Sequence, residues 1–136
     1  MPSYKIVLAE DHIPLRQAIK KIVQKNGELT VMGEAGDGLE LLELLEQTAP
    51  DMVITDIAMP RVRGLEATKK IKELYPQVKV LILTVHREKD YLDLAMLYGA
   101  DGYVVKEEID PELVVAIQAV RYGQVYVSKL FGVFAK

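Results

Sequence analysis

Five short apolar runs, each followed by a stretch whose apolar residues recur at helical spacing, restrict this chain to very few folds. The runs are Tyr4 to Ala9, Leu29 to Ala35, Met52 to Thr55, Val78 to Thr84 and Asp101 to Val105. After the first, Leu15, Ala18, Ile19, Ile22 and Val23 make one stripe of a helix that Asn26-Gly27 ends. Gly36-Asp37-Gly38 turns into a Leu-rich helix (Leu39, Leu41, Leu42, Leu44, Leu45) that stops before Pro50. Leu65, Thr68, Ile71, Leu74 and Tyr75 mark a third helix over Gly64 to Tyr75, closed by Pro76. Glu88 to Leu97 is a fourth, with a thin apolar face (Leu92, Ala95, Met96) and Gly99 at its end. Asp110-Pro111-Glu112 opens a fifth with a capping Asp and a first-turn Pro, and Leu113, Ile117 and Val120 carry it to Gly123.

Strand followed by helix, five times over, predicts a parallel sheet covered on both faces: an α/β doubly wound, five-stranded domain. The run VKVLILT is the most apolar and belongs at the centre, whereas Leu29 to Ala35 alternates loosely and is more exposed. The chain of 136 residues, half of them apolar, is long enough for one self-sufficient core. A net charge of -3 with no basic patch argues against nucleic-acid binding by these residues. The lack of cysteine excludes disulfides and thiolate metal sites and fits a cytoplasmic protein. The apolar runs are strand-sized, so no membrane span is expected, and MPSYK enters the first strand without a signal-peptide layout.

Chemistry in an open α/β sheet collects outside the carboxyl ends of its strands. Here those ends carry Glu10 and Asp11, then Asp56, then Thr84, then Lys106. Pro60, four residues after Asp56, ends the ladder and leaves that carboxylate on a loop. Singly, each residue has an ordinary alternative: a turn cap for Asp56, a helix cap for Glu10-Asp11, a strand residue for Thr84, a solvated lysine for Lys106. Three carboxylates in one crevice repel each other, and a cation resolves the conflict; oxygen ligands in a half-open shell suit magnesium.

These residues in this order resemble the receiver domain of two-component response regulators. The likeness rests on Glu10-Asp11, on Asp56-Ile57-Ala58-Met59-Pro60 with Gly64, on Thr84, and on the run from Gly99 to Lys106. It covers residues 4 to 123 and implies the flavodoxin-like (βα)5 fold. It implies that Asp56 accepts a phosphoryl group from a sensor histidine kinase, with Mg2+ held by Glu10, Asp11, Asp56 and the Ala58 backbone carbonyl. Thr84 and Lys106 would contact the phosphoryl oxygens. Thr84 and Tyr103 would be the switch pair that shifts the face of the fourth helix, fifth strand and fifth helix. The protein would then be a signalling module that catalyses its own aspartyl phosphorylation and dephosphorylation.

Gly33-Glu34-Ala35-Gly36-Asp37-Gly38, the tail from Ala119, and Glu107 after Lys106 look like the NarL/FixJ (LuxR-type) transcription-factor subfamily. Residues 1–123 are therefore read as the receiver. Residues 124–136 are read as the start of a linker toward a helix-turn-helix domain absent from this sequence, through which alone DNA would be bound. A homodimer on phosphorylation is a family expectation. Ala58 offers no side chain to orient an attacking water, so loss of the phosphoryl group would depend on His86 or be slow; His12 reads as a helix-start residue. A haloacid-dehalogenase-type phosphohydrolase would want an acid where Ala58 stands. A nucleotide- or flavin-binding module would want a phosphate loop where Glu10-Asp11 stand.

Overall fold

The computed structural model describes residues 3–59, 63–106, 109–129 and 131, without the side chains of 109–111. Pro60 and Glu107 thus lie outside the described residues, as do the side chains of Asp110 and Pro111. Strands Tyr4–Ala9 (β1), Leu29–Ala35 (β2), Met52–Thr55 (β3), Lys79–Thr84 (β4) and Gly102–Val105 (β5) alternate with five helices. These are Ile13–Gln24 (α1), Gly38–Gln47 (α2), Gly64–Leu74 (α3), Lys89–Leu97 (α4) and Ile109–Arg121 (α5). The sheet is parallel throughout in the order β2-β1-β3-β4-β5, with β4 inside and β2 at an edge, as their apolarity predicts. One strand is additional: Tyr126–Val127 (β6), in the stretch read as linker, pairs with the outer edge of β5.

Successive strand residues point to opposite faces, and both faces carry an apolar layer. Val7, Val53, Val80, Ile82 and Tyr103 face Leu41, Leu45, Ala67, Ile71, Leu92 and Ala95 of α2, α3 and α4. Ile6, Leu8, Met52, Ile54, Leu81 and Leu83 face Ile19 and Val23 of α1 and Leu113, Ile117 and Val120 of α5. Full burial of each such side chain contributes about 1.5–3 kcal/mol, so two continuous layers hold the strand ends in fixed register. No helix among the described residues is long and apolar enough to cross a membrane.

Local chemistry sets the helix ends. Asp37 caps α2 by accepting from Glu40 N at 2.8 Å, and Glu40 Oε1 in turn accepts from Gly36 N at 2.7 Å. Gly99 takes φ +100 so that the Gly99 and Ala100 amides can close the end of α4 on Met96 O and Ala95 O, a Schellman arrangement favouring glycine. Two cap expectations shift, by one residue at α1 and by two at α5. The N-cap of α1 is His12, not the acidic pair, and α5 begins at Ile109, which puts Asp110 inside the first turn.

Glu34 of β2 ties the sheet edge to α1 by accepting from Arg16 Nε at 3.0 Å, Gln17 Nε2 at 2.8 Å and Lys20 Nζ at 3.0 Å. Burial pushes this carboxyl up, but the hydrogen bonds and charges of Lys20 and Arg16 outweigh it and hold the group below its ordinary value of 4.5. A pKa depressed on folding adds stability above the unfolded value, and that stability is lost as pH falls through the folded value. Glu34→Gln should therefore be less stable than wild type at neutral pH by about 0.5–1 kcal/mol. Urea midpoints measured down a pH series should converge as pH falls below the ordinary carboxylate value.

Candidate functional site

The carboxyl ends of β1, β3, β4 and β5 lie at one edge of the sheet because the ladders pair Ala9 with Thr55, Thr55 with Ile82, and Thr84 with Val105. Glu10 and Asp56, the residues that leave β1 and β3, have 3% and 6% exposure despite their charge. Both are held by backbone: Glu10 N donates to Ala35 O at 3.0 Å and Asp56 N to Ala9 O at 3.2 Å. Arg16 secures the first of these loops, donating from Nη1 to Glu10 O at 2.9 Å and to Ala35 O at 3.3 Å. That role was not legible in the sequence, where Arg16 lies outside the apolar stripe of its helix.

Two buried carboxylates side by side need donors, and they have them. Asp56 Oδ1 accepts from Ile57 N at 2.7 Å and from Ala58 N at 3.4 Å. Glu10 Oε2 accepts from His12 N at 3.0 Å. The remaining oxygens share one cation: Lys106 Nζ lies 2.6 Å from Glu10 Oε1 and 2.8 Å from Asp56 Oδ2. Burial pushes the Glu10 carboxyl up, as does the Asp56 charge, against the pull of Lys106 and the His12 amide; the net direction is upward. Burial alone would lower Lys106, but its hydrogen bonds to Asp56 and Glu10 prevail and raise it, so the ammonium stays charged.

Asp11 completes an acidic cluster. One oxygen each of Glu10, Asp11 and Asp56 can be chosen so that all lie within 4.8 Å of one another, with Asp11 exposed to solvent. One ammonium against three carboxylates leaves the pocket short of positive charge. The donors are all oxygens and one side is open to water, so the residues fit magnesium, a hard ion that keeps several waters. Ala58 is exposed beside them.

Thr84 and Tyr103 meet at His86. Thr84, fully buried, accepts from His86 N at 3.3 Å on its Oγ1, and the Tyr103 hydroxyl donates to His86 O at 2.9 Å. One residue is thus clamped at both backbone ends by the two residues expected to switch. Burial, with the nearby carboxylates of Glu88 and Asp56, pushes the Tyr103 phenol far up, so it remains a donor. The His86 ring packs on Tyr91 with centroids 4.4 Å apart. Asp11, Ala58, His86 and Tyr91 line one open depression of about 370 Å³ together with Arg63, a basic residue the sequence did not single out.

The family model of the response regulator receiver domain matches residues 6–118. The chain belongs to that family. Among its curated relatives, the transcriptional regulatory protein DegU of Brevibacillus brevis is 37% identical over 123 residues, spanning 90% of this chain and 52% of that protein. The oxygen regulatory protein NreC of Staphylococcus epidermidis is 37% identical over 125 residues, 91% of this chain and 57% of that protein. A LuxR-family two-component response regulator from Aurantimonas sp. SI85-9A1 superposes with a TM-score of 0.88 at 32% identity, covering 93% of this chain and 89% of its own. The receiver's sheet and its LuxR-type kinship thus stand as the sequence suggested, and the chain spans about half the length of the curated relatives it matches.

Gly64, at the start of α3, explains how the loop after Asp56 is packed from behind. Its amide donates to Ile57 O at 2.8 Å, and a Cβ built on it would overlap the Asp56 carbonyl oxygen, a backbone atom that cannot swing aside. Gly64→Ala should destabilise the domain by about 1–3 kcal/mol, the usual range for overpacking, read as a lower urea midpoint.

Proposed function

We propose that this receiver is a phosphorylation-activated switch in which Asp56 takes a phosphoryl group from the phosphohistidine of a sensor histidine kinase. The observation that carries the reading is the Lys106 ammonium lodged between Asp56 and Glu10 beside an acidic cluster. A carboxylate oxygen of Asp56 attacks phosphorus, the P–N bond of the donor breaks, and its electron pair returns to the imidazole, leaving an acyl phosphate on Asp56. The Ile57 and Ala58 amides hold Oδ1 and so orient the nucleophile. Lys106 Nζ, already at Oδ2, is placed to follow negative charge onto the phosphoryl oxygens. Thr84 Oγ1 accepts from His86, which leaves its hydroxyl hydrogen available to donate to a phosphoryl oxygen. Glu10, Asp11, Asp56 and the Ala58 carbonyl would hold Mg2+, which when bound neutralises charge on the transferring group.

Charge drawn toward the phosphoryl group would pull Thr84 and the loop after β4 inward and stabilise the buried position of Tyr103. The α4, β5 and α5 face then changes its population of states, which is the signal. The LuxR-type kinship supports transcription as the output, through a helix-turn-helix domain beyond the receiver, with homodimerisation on phosphorylation and a cytoplasmic setting. Hydrolysis returns the carboxylate and releases inorganic phosphate. Ala58 contributes no polar side chain to that step, and His86, in the same depression, is the group placed to influence it.

Incubation with acetyl phosphate and Mg2+ should add one phosphoryl group to the wild-type chain by intact-mass spectrometry, and none to Asp56→Asn. Catalytic phosphate release over many turnovers would instead make this a hydrolase. Mg2+ alone should raise the melting temperature of wild type, since a ligand bound only by the native state stabilises it, and Glu10→Gln should reduce that rise. His86→Ala should lengthen the life of the mass adduct; an unchanged decay would remove His86 from the reaction.

A further inference from the structure

Beyond α5 the chain turns back along the sheet and is fixed there by buried polar groups. Tyr126 N donates to Asp101 O at 3.2 Å and Ser128 N to Tyr103 O at 2.9 Å, which continues the ladder of β5. Ser128, with no exposure, accepts from Val105 N at 2.9 Å on its Oγ and donates that hydroxyl to Glu112 Oε1 at 2.6 Å. The Glu112 carboxylate, 5% exposed, also accepts from the Tyr126 hydroxyl at 2.9 Å and from Lys129 N at 3.2 Å. A carboxylate is buried this deeply only where donors converge on it, and here three of them come from the tail. Phe131, buried at the end of the segment, sets its ring edge against Tyr103 with centroids 5.7 Å apart and planes at 78°.

Tyr103 therefore has two attachments at once. Its hydroxyl holds the His86 carbonyl on the loop after β4, whose amide reaches Thr84, and its ring receives Phe131 from the tail. No rotation of the Tyr103 side chain out of the core preserves either contact. We infer that residues 126–129 together with Phe131 form a latch whose docking on β5 and α5 is coupled through Tyr103 and His86 to Thr84, so that the acceptor site and the departing chain read each other's state. The part of this that involves phosphorylation rests on Asp56 as the acceptor. Coupling free energies are reciprocal: whatever holds Tyr103 inward favours the docked tail, and the docked tail favours the inward loop to the same degree.

Hydrogen-exchange mass spectrometry on the full chain tests this. Tyr103→Phe keeps the ring and removes only the bond to His86, yet residues 126–131 should exchange roughly fivefold faster, the factor expected for one typical hydrogen bond. Phe131→Ala should speed exchange over residues 85–88 by a similar factor, while β2 stays unchanged in both variants. Glu112→Gln, which loosens the tail without touching Tyr103, should reproduce the effect of Phe131→Ala on residues 85–88. If neither tail variant alters residues 85–88, the coupling is refuted. With acetyl phosphate and Mg2+, the phosphorylated fraction should show slower exchange over 126–131; an adduct with unchanged tail exchange also overturns the latch. A chain that takes up no phosphoryl group counts against the acceptor reading, and the three variants still decide the coupling.

Discussion

The Lys106 ammonium, 2.6 Å from Glu10 and 2.8 Å from Asp56, is what allows two carboxylates to be buried at the ends of neighbouring strands. Without it, desolvation and mutual repulsion would drive one of them to protonate or the loops to open. The remainder of the fold serves that contact. The parallel ladders of β1, β3, β4 and β5 bring four strand ends to one edge. The two apolar layers keep the register from slipping, and the close approach of Gly64 to Asp56 fixes the loop after β3 from behind. The same contact leaves a charge imbalance: one ammonium bridges the buried pair, and of the three carboxylates only one is matched by it.

Much of this was legible in the sequence because of a peculiarity of parallel sheets. Their strands are buried on both faces, so they read as unbroken apolar runs, and the first polar residue after each run is carried to the functional edge. Glu10, Asp56 and Lys106 follow that rule, and Thr84 closes its run. What could not be read was anything decided by partners far apart in the chain. The bond from Lys106 to Glu10, the Arg16 brace on the β1 loop and the clamp of Thr84 and Tyr103 on His86 depend on three-dimensional register alone. β6 was missed because it is two residues long and owes its place to Glu112, an acid that on an amphipathic helix reads as solvent-facing.

Stability is distributed unevenly about the site. The β1, β3 and β4 strands are enclosed on both sides, whereas α4 buries only Leu92 and Ala95 and leaves Leu94 and Leu97 exposed. A helix with so thin an attachment is the element most easily displaced, and it follows directly on the loop that His86 anchors. Glu10 and Asp56 thus leave strands enclosed on both sides, and α4 is the softer element beside them. Tyr103 stands at the boundary between them.

The short β6 has a further consequence for the outer margin of the sheet. A strand at a sheet edge offers unpaired amides and carbonyls to any other chain, and natural proteins cover or blunt such edges. Here Tyr126, Val127 and Ser128 occupy the free side of β5, taking up Tyr103 O and Val105 N, backbone groups that would otherwise face solvent next to an aromatic core residue. A version of this domain cut just after α5 would keep Glu10, Asp11, Asp56, Thr84 and Lys106 and yet bare a sticky β5 margin. Its failure to stay monodisperse would then be a matter of edge protection, separate from any defect in phosphoryl chemistry.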